Sequence, residues 1–197
     1  MPKLLIATQN RGKFDEIQAL LSKLDIELIS PAEIGLNLHV AETGTTYAQN
    51  AALKAQAYAQ ASGLTALADD SGLEVDALDG EPGLYSARYA PKPKATDADR
   101  RAYLLEKLQP HPHPWIARFR CVVALTPVGG DTVFTEGICP GEIIPEERGQ
   151  HGFGYDPIFL VASMERTMAE LSMDEKNRLS HRARAIRAMI PTLQNLE

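Results

Sequence analysis

A chain of 197 residues with 44% hydrophobic and 23% charged side chains is long enough to bury a core, and too balanced for a disordered, collagen-like or disulfide-stapled protein. Twenty basic against 26 acidic residues leave a net charge of −6, which excludes a broad nucleic-acid surface but leaves room for a small anionic substrate. No apolar run approaches the roughly 20 residues that cross a bilayer, and Arg11 and Lys13 come too early for a secretory leader, so the expectation is a cytoplasmic protein without a membrane partner.

Lys3 to Ala7 (KLLIA) predicts a short strand, and after a polar turn Phe14, Ile17, Leu20, Leu21 and Leu24 recur at helical spacing. Ile26 to Ile29 predicts a second strand stopped by Pro31, followed by a loop up to Gly44. Thr46 to Ala61, rich in alanine, predicts a closely packed helix with Thr45 or Thr46 as its N-cap. LTALADDSGLEVDAL reads as two short strands around Asp69-Asp70-Ser71-Gly72, and EPGLYSARYAPKPK as irregular and exposed. A helix is expected over Asp97 to Leu108, with the Arg100-Arg101 pair on its surface. His111 and His113 between prolines read as a solvated loop, and Trp115, Phe119, Cys121 and Val123 as core. Gly129-Gly130 joins two strand-like runs as a hairpin, which brings an antiparallel element into the sheet. Cys121 and Cys139 lie in those runs without a CxxC or Cys/His neighbour and read as buried free thiols. Beyond HGFGYDPIFL, a short helix is expected around Met168 to Asn177. A last helix starts at Ser180, with Ile186, Met189, Ile190 and Leu193 as its apolar stripe and Pro191 kinking or ending it.

Five places carry side chains suited to chemistry, and each admits a plainer reading. The turn Thr8, Gln9, Asn10, Arg11, Gly12, Lys13 sets donors at a helix N-terminus, which favours anions; it forms a phosphate cradle, or else Asn10 only caps the helix and Lys13 faces solvent. Glu42, Asp69 and Asp70 offer the hard oxygen ligands Mg2+ needs. Neighbouring strand residues point to opposite faces, so one aspartate ligates and the other braces, unless the segment is an Asx turn. Lys54 shares a helix face with Asn50 and serves an anion or stands in solvent. In the run from His151 to Asp156, glycines allow close backbone approach and Phe153 or Tyr155 offers a stacking ring, or the segment is a bulged strand with core aromatics. Lys176 precedes Ser180-His181-Arg182, where Ser180 can cap the helix. Arg182 begins on its inward stripe and needs an anionic or carbonyl partner, which a substrate or a salt bridge supplies.

In their order and spacing, TxNxxK (Thr8, Asn10, Lys13), ETG (Glu42 to Gly44), ADDSGL (Ala68 to Leu73), GFGYDPIF (Gly152 to Phe159) and SHR (Ser180 to Arg182) closely resemble the Ham1/RdgB family of inosine triphosphate pyrophosphatases, over essentially the whole chain. The resemblance implies an α/β fold with a long mixed β-sheet flanked by helices. The chain, residues 1–197, would be a single domain of two lobes with a central cleft, and usually a homodimer. It implies a Mg2+-dependent hydrolase that converts ITP, dITP and XTP to the monophosphate and pyrophosphate, cleansing the nucleotide pool. By the same likeness Thr8, Gln9, Asn10, Arg11, Gly12, Lys13, Lys54 and Lys176 hold the triphosphate. Glu42 and Asp70 hold Mg2+, Asp70 also accepts a proton, and Ser71, Phe153, Gly154, Tyr155, Asp156, His181 and Arg182 complete the substrate site. An acidic protein can hold a polyanion only where positive charge is concentrated, since screening acts over about 8 Å. Lys13, Lys54, Lys176 and Arg182 supply that concentration. Two rivals share these residues: a nucleotide-binding regulator that does not hydrolyse, and a pyrophosphatase for modified pyrimidine nucleotides. The presence of both Glu42 and Asp70 speaks against the regulator.

Overall fold

Leu4, Leu5 and Ile6 are almost wholly buried in strand β1 (Lys3–Ile6), as an apolar run flanked on both sides by parallel neighbours must be. The computed structural model, which describes residues 1–162 and 164–196, pairs β1 in parallel with β2 (Glu27–Ile29) and with β3 (Thr65–Val75), Leu4 facing Leu28 and Leu5 facing Ala66. Strands β4 (Trp115–Thr126), β5 (Val133–Ile143) and β6 (Phe159–Val161) follow in the hydrogen-bonded order β2-β1-β3-β4-β5-β6. The last pair is antiparallel, with Glu142 opposite Leu160, so the sheet is mixed and the fold is α/β, as expected.

The chain divides into two compact units. The first holds Met1–Asp70, Cys121–Gly137 and the chain from His181 onward. Its helix α1 (Arg11–Leu21) buries Phe14, Ile17 and Leu21 beside Ile186, Met189 and Leu193 of α5 (His181–Leu193). Helix α2 (Tyr47–Ser62) is capped by Thr46, whose hydroxyl accepts the Gln49 N–H at 3.2 Å. Its alanines explain its packing: Ala51, Ala55 and Ala59 are buried against Ala66, Ala68 and Ala124, side chains small enough to bring helix and sheet backbones close. The second unit, Ser71–Arg120 and Ile138–Ser180, has its own core of Leu73, Leu104, Leu108, Trp115, Phe119 and Phe159, with helix α3 (Asp97–Leu108) opened by a Thr96–Asp99 capping box.

Several expectations are corrected. The segment through Asp69 and Asp70 is neither two strands nor an Asx turn but part of one eleven-residue strand, because both carboxylates find partners outside the segment and leave the backbone free to stay extended. Pro31–Ile34, read as loop, is a 3-10 turn capped by Ser30. Gly83–Arg88, read as irregular and exposed, is a 3-10 helix tied inward by Ser86, whose buried hydroxyl accepts the Leu73 N–H at 2.9 Å. The helix expected over Met168 to Asn177 splits into a 3-10 turn, Met168–Glu170, and α4 (Met173–Leu179), since Ser172 and Glu175 form a capping box that restarts it. Ser180 closes α4, its N–H donating to the Lys176 carbonyl. Pro191 lies inside α5, whose last turn continues to Leu193. Cys121 and Cys139 are buried free thiols.

Candidate active site

Strand β3 places Asp69 and Asp70 side by side, and alternation sends their carboxylates to different partners. Asp69 Oδ2 receives Lys13 Nζ at 3.0 Å and two guanidinium hydrogen bonds from Arg182, each 3.2 Å. Arg182 is 1% exposed and also pairs with the buried Glu16 of α1. Burial works against the Asp69 charge, but Lys13, Arg182 and Lys54 outweigh it and hold the carboxyl far below the usual range. Burial and then Asp69 push the neighbouring Cys121 thiol well up, so it is inert.

Asp70 lives differently. Its Oδ2 accepts a hydrogen bond from Asn50 Nδ2 at 3.1 Å, and Lys54 Nζ stands 3.6 Å from its Oδ1. The same ammonium donates to Glu42 Oε1 at 2.9 Å and to the Asp69 carbonyl at 2.7 Å. Burial, followed by the opposing attraction of Lys54 and the repulsion of Glu42, leaves the Asp70 carboxyl above its ordinary value. For Lys54 burial is again the largest influence, yet Asp70, Asp69 and Glu42 overcome it and keep the ammonium charged. Asn50, fully buried, accepts the Gly44 N–H at 2.8 Å while holding Asp70, and so joins the Glu42–Gly44 loop to the strand. Among the described residues no three His, Cys, Asp or Glu side chains gather as a metal cluster; Glu42 and Asp70 share the Lys54 ammonium.

In the turn before α1, Asn10 does cap: its Oδ1 accepts the Lys13 N–H at 3.1 Å, and its own N–H donates to Thr8 Oγ1 at 3.2 Å. Lys13 does not face solvent, however; its side chain is mostly buried against Asp69. Gln9 Nε2 reaches the Leu38 carbonyl at 3.2 Å, exposed Arg11 pairs with Asp15, and Gly12 sits in the first helical turn. Thr8, Gln9, Asn10, Arg11 and Phe14 line a cavity of about 450 Å³ with the segment Ser30 to Asn37. A helix N-terminus with Lys13 beside it is equipped to bind an anion. His181, buried at the head of α5, precedes Arg182.

The remaining candidates belong to the second unit. Asp156 Oδ2 accepts Lys176 Nζ at 2.7 Å and the Phe153 N–H at 3.0 Å, and that ammonium lies 4.9 Å from the Phe153 ring centre. A Cβ on Gly152 would collide with the Asp156 carboxylate, which is why glycine stands there. Tyr155 is core: its hydroxyl donates to the Ser86 carbonyl at 2.9 Å, and burial lifts its pKa well above the ordinary value. Gly154 has φ +63, and Ser71, half-buried, continues β3.

Three residues escaped the sequence reading. Glu16 precedes Ile17 on the buried side of α1, and the inward Arg182 signals only that an anionic or carbonyl partner has to exist somewhere. Arg101 is expected on the helix surface and Asp97 only at the helix start, but both bind the backbone of Gly154, and Arg101 is held by Glu147. No sequence pattern marks that contact. Among the described residues no helix is long and apolar enough to cross a membrane.

Comparison with known proteins places these sites in context. The Ham1 family model matches residues 4–192. The chain is 44% identical over 187 residues to the dITP/XTP pyrophosphatase of Oceanobacillus iheyensis, covering 94% of this chain and 95% of the relative. It is 44% identical over 194 residues to the dITP/XTP pyrophosphatase of Bacillus subtilis (strain 168), covering 98% of each. Among solved structures, a HAM1 protein from Coxiella burnetii matches with a TM-score of 0.89 at 43% identity, over 98% of both chains.

Proposed function

The chain belongs to the Ham1 family, and from that premise we propose that it is a nucleoside triphosphate pyrophosphatase that hydrolyses ITP, dITP and XTP to the monophosphate and pyrophosphate, removing noncanonical purines from the nucleotide pool. The observation that carries the reading is the convergence of Lys54, Glu42 and Asp70, with Lys13 beside Asp69, inside one compact unit. Lys13, Lys54 and the first backbone N–H groups of α1 bind the phosphate tail, with Lys176 and Arg182 adding positive charge. The donor set fits Mg2+ in kind, since Glu42 and Asp70 are hard oxygen ligands that already neutralise a cation, Lys54. Glu42 and Asp70 would hold Mg2+, which when bound would supply Lewis-acid polarisation of the phosphoryl group.

Asp70 accepts the proton of the attacking water as its oxygen bonds to the α-phosphorus and the bond to the bridging oxygen breaks, releasing pyrophosphate. Asp69, locked to Lys13 and Arg182, is by contrast a fixed anion. Phe153 stacks on the base, and Ser71, Gly154, Tyr155, Asp156 and His181 complete the substrate site. A carbonyl at the six position of the purine accepts from a site that presents donors, and an amine there leaves those donors unpaired, which disfavours ATP. A homodimer working in the cytoplasm, without nucleic-acid or membrane partners, belongs to the same proposal. The test is incubation with ITP, dITP, XTP, GTP and ATP plus Mg2+, separating pyrophosphate from orthophosphate. Pyrophosphate from ITP, dITP and XTP is expected; orthophosphate as first product, or binding without turnover, refutes it.

A further inference from the structure

Both backbone polar atoms of Gly154 are bound by side chains of one helix. Its N–H donates to Asp97 Oδ2 at 2.8 Å, and its carbonyl accepts from Arg101 Nη1 at 2.8 Å. Asp97 and Arg101 are one helical turn apart on α3 and so share a face. Arg101 also makes two parallel hydrogen bonds to the Glu147 carboxylate, of 2.8 and 2.9 Å, so one guanidinium holds the loop at Glu147 and again at Gly154. Its side chain is only 12% exposed, which sets it apart from a solvated surface arginine. On the other side of the loop, Asp156 takes the Phe153 N–H and the Lys176 ammonium. Phe153 therefore sits between two anchors, its own N–H fixed by Asp156 and the next residue fixed by α3.

We propose that Asp97 and Arg101 are positioning residues for nucleobase selection: by gripping Gly154 they hold the Phe153 ring in the one arrangement against which a purine base stacks. The inference rests on the reading that Phe153 belongs to the substrate site. Glu42, Lys54 and Asp70 lie in the other unit, so loss of the grip falls on recognition of the base, and the phosphoryl step is kept. An N–H and a carbonyl seized together fix the peptide planes on both sides of Gly154, which a single bond would leave free to rotate. Charge-assisted bonds are also the stronger kind, and both here have an ionised side chain as partner.

Steady-state kinetics of Asp97→Ala and Arg101→Met with dITP and dGTP, alongside Phe153→Ala and thermal melts of each, test this. The KM for dITP is expected to rise about tenfold, which is what a lost charged hydrogen bond amounts to when it falls wholly on binding, with kcat changed less than about threefold. The preference for dITP over dGTP shrinks with it. Arg101→Lys and Asp97→Asn, which keep a polar group facing Gly154, recover part of the loss and carry the test should the larger changes fail to fold. A merely structural grip lowers the melting temperature and leaves KM and base preference alone. That result in folded variants, with Phe153→Ala raising KM, overturns the positioning role. If Phe153→Ala also leaves KM and preference unchanged, the assignment of Phe153 to the substrate site falls, and the inference with it.

Discussion

Replacing Arg182 by methionine removes a cation that two buried carboxylates share. Arg182 is 1% exposed, and its partners Glu16 and Asp69 are each 3% exposed, so the variant strands negative charge where water cannot reach it. Asp69 keeps Lys13 at 3.0 Å, whereas the Glu16–Arg182 pair is lost outright. Breaking a buried pair by deleting one partner costs about 3–5 kcal/mol. At about 2–4 °C per kcal/mol for a chain of this size, the melting temperature falls by about 6–20 °C. The double variant Glu16→Met/Arg182→Met removes both members of that pair, and is expected to lose at least about 1 kcal/mol less than the two single losses added together. Thermal and urea unfolding followed by circular dichroism measure all three proteins. A drop below about 2 °C for Arg182→Met, or single-variant losses that add to within about 0.5 kcal/mol, would refute the account of this network.

Two further substitutions probe the packing around the candidate site. Gly137 in β5 lies so close to the backbone of α5 at His181 and Ala185 that a Cβ would collide with it; Gly137→Ala is expected to destabilise by about 1–3 kcal/mol, checked by urea midpoint. Asn50→Ala removes the acceptor of the Gly44 N–H and the amide donor to Asp70, and is expected to lower stability by about 1–3 kcal/mol and turnover by about tenfold. Asn50→Asp, which sets a like charge against Asp70, is expected to be at least as damaging; native activity in that variant would refute the positioning of Asp70 by Asn50.

Local signals carried much of the fold. The apolar KLLI run, the Thr46 cap before an alanine-rich helix, the helix from Asp97 to Leu108 and the Gly129-Gly130 turn between β4 and β5 each depend on residues within a few positions, and each is seen. What depended on distant residues could not be read that way. Asp-Asp-Ser-Gly has the composition of a turn, and it is a strand only because Lys13, Asn50, Lys54 and Arg182 arrive from other elements to satisfy its carboxylates. Arg101 looked solvated for the same reason, since Glu147 and the Gly154 carbonyl are far along the chain. The inward stripe of α5 did announce that Arg182 needed an anion or a carbonyl, but a stripe states the need without naming the partner, and Glu16 lies at the other end of the chain.

Adjacent aspartates with opposite shifts make a sharper claim than either alone, because the shifts are also statements about stability. The Asp69 pKa is depressed on folding, so its charge stabilises the native state: the contribution is whole above its unfolded value near pH 4 and drains away as pH falls below it. Asp70 is raised, so at neutral pH its charge opposes folding, and the opposition is relieved as acid protonates it. At pH 7 Asp69→Asn is therefore expected to lower the melting temperature and to flatten its fall as pH drops below about 4, the ordinary value of an aspartate. Asp70→Asn, which can keep a hydrogen bond to Asn50, is expected to melt at or above the native temperature while turnover drops at least about a hundredfold. Such a pairing of gained stability with lost activity is what a group held charged for chemistry produces, and a group held for structure produces the reverse. Melting curves at several pH values together with a pyrophosphate-release assay separate the two. If Asp70→Asn destabilises as much as Asp69→Asn, Asp70 braces the fold as Asp69 does, and the proton acceptor has to be sought at Glu42.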